Sequence, residues 1–194
     1  EYADIAEIIS VLERIAPDDL RTLSLAGKYE YAVGQYDTAL PKFKEVCKKS
    51  SEDSADWYLY GLLLKAHQPK EAVKALKKAC ALEPDYGLYQ FRLAEALYLT
   101  GGRYKPVLEK ALAADPENGW AHNLQALAAL KEGDIARAEA AIAEARRLLP
   151  DEVPLLINYL EVQRQKGQLA ACLPLFDIES GTADLAVERN RAAG

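Results

Sequence analysis

The stretch from Gly133 to Pro150 reads GDIARAEAAIAEARRLLP. Ala138, Ile142 and Ala145 stand at i−4, i and i+3 around the isoleucine, so they share one face of an α-helix. Small residues on that face let a neighbouring helix approach closely, and the large one fills the gap between the two. Gly133 suits a left-handed helix end and a tight turn. Asp134 suits the start of the helix that follows, where a carboxylate meets unpaired N–H groups and the positive end of the helix dipole. Pro150 marks the stop.

The same pattern recurs in both directions. Phe43, Leu76, Leu108, Ile142 and Phe176 lie 33, 32, 34 and 34 residues apart. Four residues before them stand Ala39, Ala72, Ala138 and Cys172, with Tyr104 as the departure in the third copy. Three residues after them stand Val46, Ala79, Ala111, Ala145 and finally Glu179. A second ladder, Pro17, Pro84, Pro116 and Pro150, has intervals of 67, 32 and 34, and its missing rung falls at Ser50-Ser51. Gly34, Gly133 and Gly167 punctuate the middle of their units, and acidic residues follow the boundary prolines: Asp18-Asp19, Asp85, Glu117 and Asp151-Glu152. Each unit is therefore two short helices, which cannot bury their apolar faces alone. Stacking on neighbouring units supplies the core.

Composition agrees. Of 194 residues, 33 are Ala and 29 are Leu, strong helix formers, which predicts an all-helical chain. The net charge of −6 argues against a nucleic-acid partner. No apolar run approaches the roughly 18 residues of a membrane helix, so membrane insertion is not expected. Three cysteines, Cys47, Cys80 and Cys172, cannot form a fully paired disulfide framework and read as small buried helix residues. That usage favours the cytoplasm. The chain has no Met, even at position 1, so it is expected to be a trimmed product, which keeps a periplasmic location open.

The units resemble tetratricopeptide repeats. The first carries Leu23, Ala26, Gly27, Gly34-Gln35-Tyr36 and Ala39…Phe43. The second carries Trp57, Tyr60-Gly61, Ala72…Leu76…Ala79 and Pro84. The fourth carries Leu124, Gly133-Asp134-Ile135, Ala138…Ile142…Ala145 and Pro150. The resemblance implies an all-α, right-handed superhelix of about five helix pairs. Residues 1–17 would be a half repeat consisting of a second helix only. The repeats would be 18–51, 52–84, an atypical 85–116, 117–150 and a degenerate 151–180, and 181–194 would be a capping helix. In the second and third units Pro69 and Pro106 fall in the first turn of a helix, where proline is tolerated. Pro174 predicts a short or kinked final helix. The strings Glu83-Pro84-Asp85 and Asp115-Pro116-Glu117-Asn118 look like those of bacterial repeat proteins.

The resemblance further implies a concave groove, lined by the first helix of each unit, that binds a partner protein or peptide. On that reading the groove presents Lys28 and Tyr31, with Ser24, from the first unit, and Tyr58, Leu62 and Lys65 from the second. The third offers Tyr89, with Tyr86 and Leu93. The fourth offers Asn123 and Leu127, with Trp120, and the fifth offers Asn158 and Glu161, with Ile157 and Arg164. Tyr and Trp are favoured anchors because they bury much area with few rotors. The Lys/Asn/Arg set with which one subset of the family grips chaperone tails is not reproduced, since Leu59, Leu62 and Leu93 stand where polar groups would help.

No catalytic constellation, cofactor motif or metal site emerges: His67 and His122 are far apart in the chain and there is no phosphate loop. A non-enzymatic scaffold is expected, with an accessory subunit of a bacterial envelope, secretion or transport complex as the alternative. Two further expectations concern surfaces. Residues 2–16, with Ile8 and Ile15 widening their apolar stripe, are a candidate for self-association into a homodimer. A lysine stripe on the second helices (Lys42, Lys44, Lys48, Lys49, then Lys70, Lys74, Lys77, Lys78) reads as a solvated outer face, or as a dock for an acidic partner or membrane.

Overall fold

A computed structural model describes residues 2–49 and 51–176. Among them are ten α-helices and no strand. They form two compact units that divide at Pro116.

The first unit contains α1 (Tyr2–Ile15), α2 (Leu20–Ala32), α3 (Tyr36–Lys48), α4 (Ser54–Leu64), α5 (Pro69–Leu82), α6 (Gly87–Leu99) and α7 (Lys105–Ala114). Helices α2 and α3, α4 and α5, and α6 and α7 pack as pairs, and α3 on α4 and α5 on α6 join one pair to the next. Side-chain caps fix where these helices begin. Asp19 accepts from the backbone N–H groups of Arg21 and Thr22 at 2.9 and 3.3 Å, and Asp53 accepts from Ala55 at 2.9 Å. Each such cap contributes about 1 kcal/mol. Pro69 opens α5 and Pro106 lies in the first turn of α7, where neither removes a helical hydrogen bond. Gly34 ends the α2 turn at φ 81°, a conformation that costs a side chain with a Cβ.

The second unit contains α8 (Gly119–Glu132), α9 (Ile135–Leu148), α10 (Val153–Gln165) and a 3₁₀ segment, Leu169–Phe176. Asp134 caps α9 by accepting from Arg137 N–H at 3.0 Å, directly after Gly133 at φ 76°. The 3₁₀ segment stands where the fifth unit's second helix is expected, and it runs through Pro174. The expected capping helix at 181–194, and Glu179 of the ladder, lie outside the described residues.

The small–large–small face is the core of both units. Phe43, Leu76 and Ile142 are fully buried, as are Ala39, Ala72, Ala79, Ala111, Ala138 and Ala145. Close approach explains the glycines opposite. A Cβ on Gly61 would lie 2.7 Å from Leu76 Cγ, and one on Gly27 would lie 3.2 Å from the Phe43 ring. The third copy departs because Tyr104 is the N-cap of α7 rather than a helix-face residue, and its ring meets Tyr98 edge-on at 5.1 Å. At the other end, α1 packs on α2 with Ile9 buried, and it leaves Ile8 56% and Ile15 70% exposed.

Candidate functional site

In the first unit the first helices are α2, α4 and α6, and charge ties them together. Asp56, 1% exposed in the first turn of α4, accepts from Ser24 Oγ of α2 and from Ser51 Oγ, each at 2.7 Å. Lys28 of α2 reaches Asp53 at 2.5 Å and Asp56 at 3.2 Å. Burial works against the Lys28 charge, but the hydrogen bond to Asp53 and the Asp56 carboxylate outweigh it and raise its pKa above 10.5. Burial likewise works against the Asp53 carboxylate, and Lys28 with the Ala55 N–H outweighs it and holds its pKa below 3.8. Lys28 thus bridges α2 to the start of α4 while its side chain stays 30% exposed.

Further along the same helices the surface is aromatic and cationic. Lys65 at the C-cap of α4 and Arg92 of α6 share one carboxylate, Glu95, at 3.0 and 3.2 Å. Arg92 Nε is buried with no hydrogen-bond partner among the described residues, and its guanidinium lies 4.9 Å from the Phe91 ring centroid. A hollow of about 400 Å³ is lined by Tyr31 of α2, by Tyr36, Asp37 and Leu40 of α3, by Leu62 and Leu63 of α4, and by Ala66 and His67. Tyr31 and Tyr36 meet at 5.3 Å, and burial raises the Tyr31 phenol above its ordinary pKa of 10.0. Tyr58 is half-buried and stacks on Tyr89 at 4.7 Å. Tyr89 itself is 6% exposed, packs against Tyr86 and shares a hydrogen bond with Ser54 Oγ. It supports Tyr58 from below, and Leu93 is buried in the same cluster.

In the second unit α8 and α10 meet through amides. Asn158 Nδ2 donates to Asn123 Oδ1 at 2.8 Å, with Asn123 8% exposed and Leu127 half-buried beside it on α8. Trp120 packs on the apolar cluster of this unit. Glu161 is bound by Arg164 at 2.7 Å within α10, and Arg164 with Gln165 holds its pKa down to about 2. Ile157 is 60% exposed.

These geometries sit on a repeat whose sequence matches a family model, the Cytochrome c-type biogenesis protein H TPR domain, over residues 47–156. The chain belongs to this tetratricopeptide-repeat family. A "TPR repeat-containing protein" of Treponema pallidum (strain Nichols) is 42% identical over 203 residues, which covers 98% of this chain and 25% of the relative. The chain therefore spans about a quarter of that protein's length. Among solved structures, PilW, a type IV pilus biogenesis factor, has TM-score 0.73 at 16% identity, covering 95% of this chain and 90% of PilW. YrrB, described as a TPR protein with an unusual peptide-binding site, has TM-score 0.69 at 18% identity, covering 79% of this chain and 82% of YrrB. Likeness at that identity establishes the TPR fold.

Within this TPR chain, the expected groove residues separate by role. Tyr31 and Leu62 line one hollow, Lys65 pairs with Glu95 outside its lining, and Lys28, Tyr89 and Asn123 make side-chain bonds to Asp53 and Asp56, Ser54 and Asn158. Arg92, Glu95, Tyr36, Asp53 and Asp56 escape a residue-by-residue reading. The signal for some of them is separation near the repeat length: Ser24–Asp56, Lys65–Glu95 and Asn123–Asn158 are 32, 30 and 35 apart. Cys47 and Cys80 are buried, which pushes their thiols up to about 12 and about 11, so neither offers a thiolate nucleophile at neutral pH. Among the described residues no cluster of His, Cys, Asp or Glu could hold a metal ion, and no helix is long and apolar enough to cross a membrane.

Proposed function

We propose that this TPR domain is a non-enzymatic scaffold that holds a segment of a partner protein along its first helices. The observation that carries this reading is the hollow of about 400 Å³ between Tyr31, Tyr36 and Leu62. Its lining combines leucines, two tyrosines with polar tips, His67 and the charged Asp37, a mix of apolar area and a few polar groups suited to binding. Because packed helix pairs present the surface, little ordering cost falls on the domain when a segment binds. Tyr31, Tyr58, Leu62 and Lys65 are the contact residues in this unit. Lys28 and Tyr89 hold the helices that carry them. In the second unit the contact residues are Leu127, Asn158 and Glu161, with Asn123 orienting Asn158.

The test is selection of phage-displayed dodecapeptides on the folded protein, followed by affinity measurement on variants. Tyr31→Ala with Leu62→Ser is expected to weaken the selected peptides at least tenfold, the scale of a lost hot spot, while the far-UV circular dichroism stays unchanged. Peptides that bind this folded double variant as tightly as the native protein would overturn the reading.

A second reading is favoured by the family match over residues 47–156: the domain is an assembly module of a cytochrome c biogenesis system or a comparable envelope complex. In that case the segment it holds belongs to another assembly component rather than to a transient client.

A further inference from the structure

The lysines of α3 and its C-cap and of α5 fall into two groups. Lys42, Lys49 and Lys74 have partners: Lys42 pairs with Glu30 and Glu13 at 2.5 and 3.3 Å, Lys49 with Glu45 at 3.3 Å and Lys74 with Glu71 at 2.8 Å. Lys44, Lys48, Lys70, Lys77 and Lys78 are exposed and form no ion pair among the described residues. Their spacing places Lys44 and Lys48 on one stripe of α3, and Lys70, Lys74, Lys77 and Lys78 on one stripe of α5. Lys44 and Lys77 occupy the same position of successive repeats, 33 residues apart. Glu45 and Glu71, the glutamates of these two helices, are already paired, and Asp37 lies at the start of α3 and lines the Tyr31 hollow. A chain of net charge −6 thus concentrates uncompensated positive charge on one layer of one unit.

We propose that this lysine layer rests reversibly on an anionic phospholipid surface. The chemistry between the lysines decides against a folded protein partner. No large apolar side chain is exposed from Lys44 to Lys48 or from Lys70 to Lys78, because Val46, Cys47, Ala72, Ala75, Leu76 and Ala79 all point into the core. Protein interfaces are depleted in Lys and anchored by buried aromatic residues and Arg, and these two helices expose neither an anchor nor an Arg there. Lysine is a mobile, hydrated point charge, suited to a diffuse field of headgroups. Clusters of this size meet anionic bilayers by electrostatic attraction, each lysine near the surface strengthening binding about fivefold. The Tyr31 hollow is also lined by Tyr36, Asp37 and Leu40 of α3, but none of the layer's lysines lines it, so the two can be tested separately.

The experiment is vesicle co-sedimentation of the folded chain with phosphatidylcholine alone and with equimolar phosphatidylcholine and phosphatidylglycerol. Binding to the anionic vesicles, absent on phosphatidylcholine and declining as salt is raised, is expected. Lys44→Gln, Lys48→Gln, Lys77→Gln and Lys78→Gln together should reduce it at least tenfold, and the matching Lys→Arg set should retain it. Circular dichroism verifies that both sets are folded. Equal binding to both vesicle types, or anionic binding unchanged by the Gln set, would overturn the proposal. So would retention on double-stranded DNA or on an acidic polypeptide such as polyglutamate without retention on anionic vesicles, which would assign the layer to another polyanion. Loss of peptide binding in the Tyr31/Leu62 variant with vesicle binding intact would leave the lysine layer standing by itself.

Discussion

The two units solve one problem in different ways. Each must fasten the first helix of one repeat to the first helix of the next. In the first unit the fastening is electrostatic: Asp56 gathers Ser24, Ser51 and Lys28, and Glu95 gathers Lys65 and Arg92. In the second it is neutral: an Asn158–Asn123 amide bond stands above a cluster of Ala126, Ala129, Leu155 and Val162. A common helix-pair scaffold therefore tolerates either chemistry at this position. The charged version is the more exposed to loss of a partner, since an unpaired buried polar group costs more than a made hydrogen bond gains, and Arg92 Nε already bears that cost. The neutral version depends on shape.

That contrast predicts a ranking of damage. Ile142→Ala in the second unit should be worst. The side chain is fully buried, so its removal loses transfer energy and leaves a cavity, about 2–5 kcal/mol by urea unfolding. Asp56→Ala in the first unit should cost about 1–3 kcal/mol, because Ser24 and Ser51 lose an acceptor while Lys28 keeps Asp53. A cost for Asp56→Ala equal to that of Ile142→Ala would mean that the charged hub carries as much of the fold as the apolar seam. Ala138→Leu should cost about 1–3 kcal/mol by overpacking the seam, with a lower melting temperature. An unchanged melting temperature would show that the small residue at this position is not required.

The seam was legible in the sequence because it depends on residue size at a fixed period. Burying Phe43, Leu76 and Ile142 forces Gly27 and Gly61 or small alanines opposite them, and that constraint repeats every unit. The candidate site was legible only in part. Its residues sit at positions where the repeat leaves chemistry free, so periodicity says which helix face they occupy and not whether they are engaged. Tyr58 and Tyr89 look alike in the sequence. The structure makes one a half-buried surface residue and the other its support, because Tyr89 sits close to the start of α6 and turns toward Ser54. Arg92 was invisible for the opposite reason: its role comes from sharing Glu95 with Lys65 of the preceding repeat.

The smallest expected effect is also the one that separates the two fastenings by pH. Asp53 in the first unit has a folded pKa held below 3.8 by Lys28 and the Ala55 N–H against the opposing effect of burial. A depressed carboxylate adds stability in full above its ordinary pKa, and that stability is lost as pH falls from there through the folded value. The Asp53 side chain is 47% exposed, so screening limits the effect to less than about 1 kcal/mol. Glu161 in the second unit is depressed further, to about 2, yet its partners Arg164 and Gln165 lie on the same helix. Its protonation therefore loosens no join between repeats. Urea midpoints measured on the way down through pH 3.8 should fall less steeply in Asp53→Asn than in the native chain. Hydrogen exchange should show that acid loosens the amides at the start of α4 in the native chain, and that Glu161→Gln leaves this loosening unchanged. If Asp53→Asn tracked the native acid curve in parallel, the Lys28–Asp53 pair would be a surface contact, and Asp56 alone would fasten α2 to α4.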